Sequence, residues 1–244
     1  MDGIKSKERV QEHGEVFTPD SIVNDMIDLT DKELKGTVAN TDEIRSVESL
    51  TQDELKKYID TTYLEPACGN GNFLIRILDR KLQAVQLLPE TEQEVWFIHA
   101  LSSIYGIDIQ GDNVQESKNR MLELIKNGSV KVLELKDTEV APWHFKPITL
   151  SDELEKIVKL ILDLNIQQGN FLTAENATGQ NLIVTEYLWN EQNVKCNAVT
   201  LKGCENGTSV TMKTYPEVNY KELTKTLSAS DISNSDIVGD DEEW

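Results

Sequence analysis

No apolar run in the 244-residue chain reaches the roughly 18 residues that a membrane-crossing helix requires. The polar opening, MDGIKSKERVQEHGE, has none of the apolar stretch of a secretory signal. A cytoplasmic location is expected. Cysteine is scarce: Cys68, Cys196 and Cys204 form an odd set without a CxxC pair, so neither a disulfide framework nor a zinc site of common spacing is expected. The three histidines, His13, His99 and His144, stand far apart in sequence without metal-ligand spacing. GxxxxGK[ST], HExxH and GxSxG do not occur, which removes the phosphate loop, the zinc protease helix and the serine nucleophile elbow. Bases are few as well. With 24 Lys and Arg against 43 Asp and Glu the formal charge is −19, the wrong sign for a surface that neutralises a phosphate backbone unaided. DNA contact would need a partner or a local basic groove.

Apolar and turn residues point to four stretches. Residues 1–57 read as short helices: SIVNDMIDL follows Pro19 with helical spacing, and TQDELKKYI opens on Thr51 with Glu54 three residues later, a capping-box pattern. Residues 58–190 alternate. TTYLEP predicts a strand, GNGNFLIRILDRKLQAVQLL a helix, LSSIYGIDI a strand, QGDNVQESKNRMLELIKNG a helix closed by Gly128, SDELEKIVKLILDL a helix and NIQQGNFLT a third strand. Such alternation predicts an α/β fold with a mostly parallel sheet and ligands bound beyond the carboxyl ends of its strands. NLIVTEYLW, VKCNAVTLKG and TSVTMKTYP predict a β-meander running through a β-rich extension at 191–227. YKELTKTLSAS reads as a short helix. From Ser228 to Trp244 there are six acids and no base, the composition of a solvated or disordered tail. His99, on the apolar helix EVWFIHAL, reads as a core residue, and Trp96 and Trp143 read as packing residues.

Between the first strand and its helix lies Glu65-Pro66-Ala67-Cys68-Gly69-Asn70-Gly71-Asn72-Phe73-Leu74. Two glycines at such a turn let the backbone approach a ligand, and the helix behind them offers unpaired N–H groups and a positive dipole end. Glycines also stand at strand-to-helix turns for steric reasons alone. The complete string resembles the [D/E]PACGxGxFL signature of the adenine-N6 DNA methyltransferases. That resemblance implies a Rossmann-like methyltransferase fold that binds S-adenosylmethionine through Glu65, Pro66, Ala67, Gly69, Gly71 and Phe73.

Further along, Tyr105-Gly106-Ile107-Asp108-Ile109 sets a carboxylate at the end of the second strand, where it could accept both hydrogen bonds of a ribose diol. A helix-capping Asp is the alternative. YGIDIQGDNVQESKNRML is similar to the family's second cofactor motif, which implies a ribose contact at Asp108 with Ile109 beside it. Upstream, His13-Gly14-Glu15-Val16-Phe17-Thr18-Pro19 resembles the GxxFTP element that closes over the methionine part of the cofactor, so Phe17 and Thr18 are implied contacts. In Gln168-Gly169-Asn170-Phe171-Leu172-Thr173 the family usually has an Asp where Asn170 stands. An amide oxygen there could accept from the cofactor's adenine amino group without the charge, with Phe171 adjacent. A turn-forming Asn is the other reading.

The family's catalytic [N/D/S]PP[Y/F/W] tetrapeptide, which holds a flipped adenine, is not found: the prolines at 19, 66, 89, 142, 147 and 216 are all isolated. The terminal Asp236-Ile237-Val238-Gly239-Asp240-Asp241-Glu242-Glu243-Trp244 looks like the strand that leads into the tetrapeptide, without its catalytic end. The resemblance implies no catalytic residue in this chain and a truncated fold without target-recognition domain or later strands. The expected function is a cofactor-binding component of a restriction-modification DNA methyltransferase, completed by a second methyltransferase or specificity subunit. The alternative is an inactive methyltransferase-like binding or anti-restriction protein acting through its acidic surface. A methyltransferase for another substrate is less in keeping with the EPACGNGNFL spelling.

Overall fold

The computed structural model describes residues 6, 9–11, 16–39, 46–128, 145–202 and 210–228. His13, Gly14, Glu15, Trp143, His144, Cys204 and the acidic stretch from 229 onward lie outside the described residues. Among the described residues no helix is long and apolar enough to cross a membrane, and no group of His, Cys, Asp and Glu could hold a metal ion.

Helix α1 (Asp20–Ala39) begins directly after Pro19 and runs well past the apolar spacing that signals it. Thr51 and Glu54 close a capping box on α2 (Gln52–Asp60): the Glu54 amide donates to Thr51 Oγ1 at 3.3 Å and the Thr51 amide to Glu54 Oε2 at 2.7 Å. The alternating part follows as strand β1 (Tyr63–Glu65), helices α3 (Asn72–Gln86) and α4 (Glu90–Ser102), strand β2 (Ile104–Asp108), helices α5 (Gly111–Asn127) and α6 (Asp152–Asn165), and strand β3 (Ile166–Asn170). Gly128 takes φ +63° to close α5, as its place at the end of the periodic stretch predicts. The strands pair in the order β1-β2-β3, all parallel, and a two-residue strand β4 (Glu175–Asn176) runs antiparallel on the β3 edge. The fold is α/β with a mostly parallel sheet.

Successive residues of β2 divide the layers. Gly106 faces α3, where an added Cβ would stand 2.7 Å from Leu74 Cδ1. Tyr105 faces the other way, and its hydroxyl donates to the Thr185 carbonyl at 2.6 Å. That second face carries the meander: β5 (Ile183–Asn190), β6 (Asn193–Thr200) and β7 (Val210–Thr214) pair antiparallel, with β8 (Val218–Asn219) against β6. Tyr187 donates to Asn165 Oδ1 at 3.1 Å and Gln167 Nε2 to the Ile183 carbonyl at 2.7 Å, so the two sheets are joined by hydrogen bonds as well as by packing. A parallel sheet needs cover on both faces, and here helices supply one side and a β-layer contributes to the other. The β5–β6 hairpin crosses residue 190, so β5 belongs structurally with the β-rich extension that follows it. The cover stops short of β1. This strand pairs only with β2 among the described residues, and Leu64, on the meander side, is 42 % exposed. A short 3-10 turn at Tyr220–Glu222 leads into α7 (Leu223–Thr226).

His99 is buried as expected, held between the rings of Trp96 and Trp189 with centroid distances of 4.3 and 3.9 Å, with Nδ1 3.0 Å from Asp60 Oδ1. Asp31 is buried too. It accepts from the Tyr58 hydroxyl at 2.6 Å and from Arg80 Nη1 at 3.0 Å, tying α1 to α2 and α3. Lys81, 1 % exposed in mid-α3, is the least expected core residue. Its ammonium donates to the Ile59 carbonyl at 2.6 Å, to the Thr61 carbonyl and to Ser103 Oγ, so all three protons have acceptors. One side chain thereby joins the end of α2, the entry to β1 and the α4–β2 junction.

Burial pulls the Lys81 ammonium down to about 7, against Asp60 and Asp31, which hold the proton on. Between that value and the ordinary lysine value of about 10.4 the unfolded chain binds one proton more than the folded one, so stability rises with pH across this window. In urea unfolding from pH 6.5 to pH 9 the stability of the wild type relative to Lys81→Met should rise by an amount approaching about 1.4 kcal/mol per pH unit, the buried Cys68 and Cys196 thiols acting alike in both proteins. Parallel profiles for the two proteins would contradict the assignment.

Candidate functional site

The carboxyl ends of β1, β2 and β3 lie side by side, with Glu65 opposite Gly106 and Asp108 opposite Gln168. From the end of β1 the chain turns back: the Cys68 amide donates to the Ile107 carbonyl and the Gly71 amide to the Cys68 carbonyl, each at 2.9 Å. Gly69 and Gly71 take φ +52° and +88°, values that strain any residue with a Cβ. At Gly71, the residue before α3, a Cβ would also stand 2.9 Å from Ser117 Oγ and 3.1 Å from Ser117 Cα. A Cβ at Gly69 would meet the Phe17 ring at 3.2 Å. Steric demand from the chain itself therefore accounts for Gly71, whether or not a ligand approaches.

Helix α5 fastens the loop from the side. Ser117 Oγ donates to the Gly69 carbonyl at 2.9 Å, and Arg120 Nη1 donates to the Asn70 carbonyl at 2.7 Å and to Asn72 Oδ1 at 2.8 Å. The N-terminal segment closes the other flank, where Asn72 Nδ2 donates to the Thr18 carbonyl at 3.0 Å. Phe17 and Thr18, assigned from sequence similarity alone, thus lie against the glycine loop. Sequence reading did not single out Asn113, Ser117 and Arg120. Their i, i+4, i+7 spacing on α5 was the available signal, since it places three polar groups on one helical face.

Asp108 connects the loop to the second strand. Its Oδ2 accepts from the Gly69 amide at 2.9 Å, and its Oδ1 accepts from the Gln110 amide at 2.8 Å and Asn113 Nδ2 at 3.3 Å. The carboxylate is 9 % exposed and braces two backbone turns at once. The side chain serves the start of α5, the alternative reading of Asp108, and its Oδ2 accepts one hydrogen bond, from the Gly69 amide.

Asn170 serves as a turn residue: its Oδ1 accepts from the Leu172 amide at 2.9 Å and the Thr173 amide at 3.4 Å. With that oxygen engaged twice, the group left to a ligand is the Nδ2 donor. Glu65 is half-buried, with Oε1 3.3 Å from the Ala67 amide, and burial raises its carboxyl above the usual range. Pro66 and Ala67 are exposed, and Phe73 packs partly into the core. Burial pushes the Cys68 thiol up to about 12, which removes it as a nucleophile near neutral pH. Exposed apolar side chains gather at this end of the sheet: Ile109 at 53 %, and Phe171 and Leu172 after β3.

A cavity of about 420 Å³ lies elsewhere, between α3, α4, the 146–149 segment and the start of α6, lined by Leu82, Gln93, Glu94, Phe97 and Lys146 among others. The side chains of Gln93 and Glu94 are engaged within the protein. Gln93 Nε2 donates to the Gln86 and Leu88 carbonyls, and Glu94 accepts from Tyr220 and pairs with Lys221. The strand ends carry the more chemically equipped site.

No protein-family model, curated protein or solved structure matches the chain.

Strain and crowding act together at Gly71 and apart at Gly179. Gly179 has φ +78° and open space where its Cβ would be, so Gly179→Ala should cost the strain alone, about 1 kcal/mol. Gly71→Ala adds the encounter with Ser117 and should cost a further ~1–3 kcal/mol. Denaturant midpoints measure both. Equal losses would mean that α5 gives way and the loop is not held as described.

Proposed function

We propose that this chain is the S-adenosylmethionine-binding component of an adenine-N6 DNA methyltransferase of the restriction-modification kind, with catalysis requiring a second part. The observation that carries the proposal is the joining of a glycine turn and an acidic strand end: Gly69 and Gly71 after β1, and Asp108 at the end of the neighbouring parallel strand, in direct hydrogen-bond contact. A nucleoside fits this chemistry. The amide end of α3 favours an electron-rich group, Asp108 suits a ribose hydroxyl, and the exposed apolar side chains of Ile109 and Phe171 suit the faces of an adenine ring. The similarity of EPACGNGNFL and YGIDIQ to the family motifs selects S-adenosylmethionine among nucleosides.

Asp108 would take a ribose hydroxyl on the free lone pair of Oδ2, or on both if the Gly69 amide lets go. Asn170, with its oxygen committed to a turn, would donate from Nδ2 to a ring nitrogen of the adenine and not accept from the amino group. This departs from the role that the family gives to an Asp. Among the described residues β1 is paired on one edge only and its Leu64 is exposed, and both support the need for a second part, because a strand with an unpaired edge invites continuation of the sheet.

The charge of −19 favours a second reading, an inactive methyltransferase-like protein that binds partners through its acidic surface. Calorimetric titration with S-adenosylmethionine separates the two. The proposal expects micromolar binding that Asp108→Asn weakens at least tenfold, which corresponds to about 1.4 kcal/mol. Thermal unfolding of Asp108→Asn serves as the control for loss of the loop brace. No heat with the wild-type protein would favour the second reading.

A further inference from the structure

Helix α1 is buried along one side only. Val23, Ile27 and Asp31 face the core, whereas Ile22, Met26 and Leu29 are 48, 50 and 72 % exposed. These three stand at i, i+4 and i+7, so they form one apolar stripe about two turns or 10 Å long on the outer side of the helix. Scattered surface leucines need no explanation, but three aligned large apolar residues do. Charge is set around them unevenly. Exposed Asp25 flanks the stripe, exposed Glu33 continues it one turn after Leu29, and Asp28 lies further round beside Arg80 at 2.5 Å. Lys32 is the exposed base on this part of the helix, beyond Asp25.

We infer that the Ile22–Met26–Leu29 stripe is a docking surface for a basic amphipathic helix of another protein. Helical spacing favours a helix as occupant, because side chains at i, i+4 and i+7 present ridges into which a second helix packs. A flexible thioether at the centre of the stripe, Met26, adapts to a facing apolar side chain. The carboxylates at its border select positive charge. A second copy of this chain fits poorly, since two molecules of −19 would meet through faces bordered by the same sign. The inference does not depend on cofactor binding at the strand ends, and its test reads a different quantity.

The test uses the full chain and three synthetic three-heptad peptides, followed by fluorescence anisotropy. The first has Leu at the a and d positions and Lys elsewhere, the second replaces Lys by Glu, and the third keeps Lys but replaces Leu by Ser. Docking predicts that the Leu/Lys peptide binds at least tenfold tighter than either of the others. It also predicts that Met26→Asp, at a half-exposed position where folding should be unaffected, weakens the Leu/Lys peptide at least tenfold. General attraction of a cation to an acidic protein predicts the reverse for that variant, because Met26→Asp adds negative charge. Binding of the Leu/Lys peptide that is unchanged or tighter in Met26→Asp overturns the inference. So does sedimentation showing a dimer of the wild-type chain that Met26→Asp converts to monomer.

Discussion

The contact between the Asp108 carboxylate and the Gly69 amide organises the loops at the carboxyl end of the parallel sheet. A parallel sheet leaves its strand ends as separate loops, and something must hold those loops in register if they are to form a site. Here one carboxylate accepts from the turn after β1 and, through its other oxygen, from the turn after β2. Ser117 and Arg120 on α5 reinforce the same junction from behind, and Asn72 brings in the segment before α1. The charge-assisted bonds are worth more than neutral ones, and the site is correspondingly preorganised. A group already spent on structure is also a group that a ligand must share.

Much of this was legible in sequence, and for identifiable reasons. The strand-helix alternation, the capping box at Thr51 and the Gly128 stop are local signals, each read from a few adjacent residues. All three are realised. The glycine loop and Asp108 fall together because parallel pairing of β1 with β2 follows from the same alternation. Sequence patterning could not show where the meander lies. Among the described residues it forms its own sheet against the face that Tyr105 presents. That choice depends on side chains far apart in sequence, Tyr105 with Thr185 and Tyr187 with Asn165. Lys81 was equally hidden, since a lysine in an amphipathic helix reads as exposed until the carbonyls of Ile59 and Thr61 are seen to receive it.

Asn170 illustrates the limit of carrying a role across a resemblance. The side chain sits where the family pattern leads one to look, at the end of β3, yet its oxygen is turned into the backbone of its own loop. Among the described residues, Leu64 on β1 and the apolar stripe on α1 are exposed apolar surfaces, away from the strand ends, that packing within the fold leaves uncovered.

On the proposed function, S-adenosylmethionine enters at the Asp108–Gly69 junction. Titration of ¹⁵N-labelled protein with S-adenosylmethionine, followed by amide chemical shifts, addresses it residue by residue. The largest changes should fall on Gly69, Gly71 and residues 108–110, with smaller ones at Phe17 and Phe171, because the hydrogen bond from the Gly69 amide is shared or exchanged on binding. Saturable shifts confined to other parts of the molecule, such as the cavity beside Gln93 and Phe97, with the Gly69 amide unmoved, would contradict it.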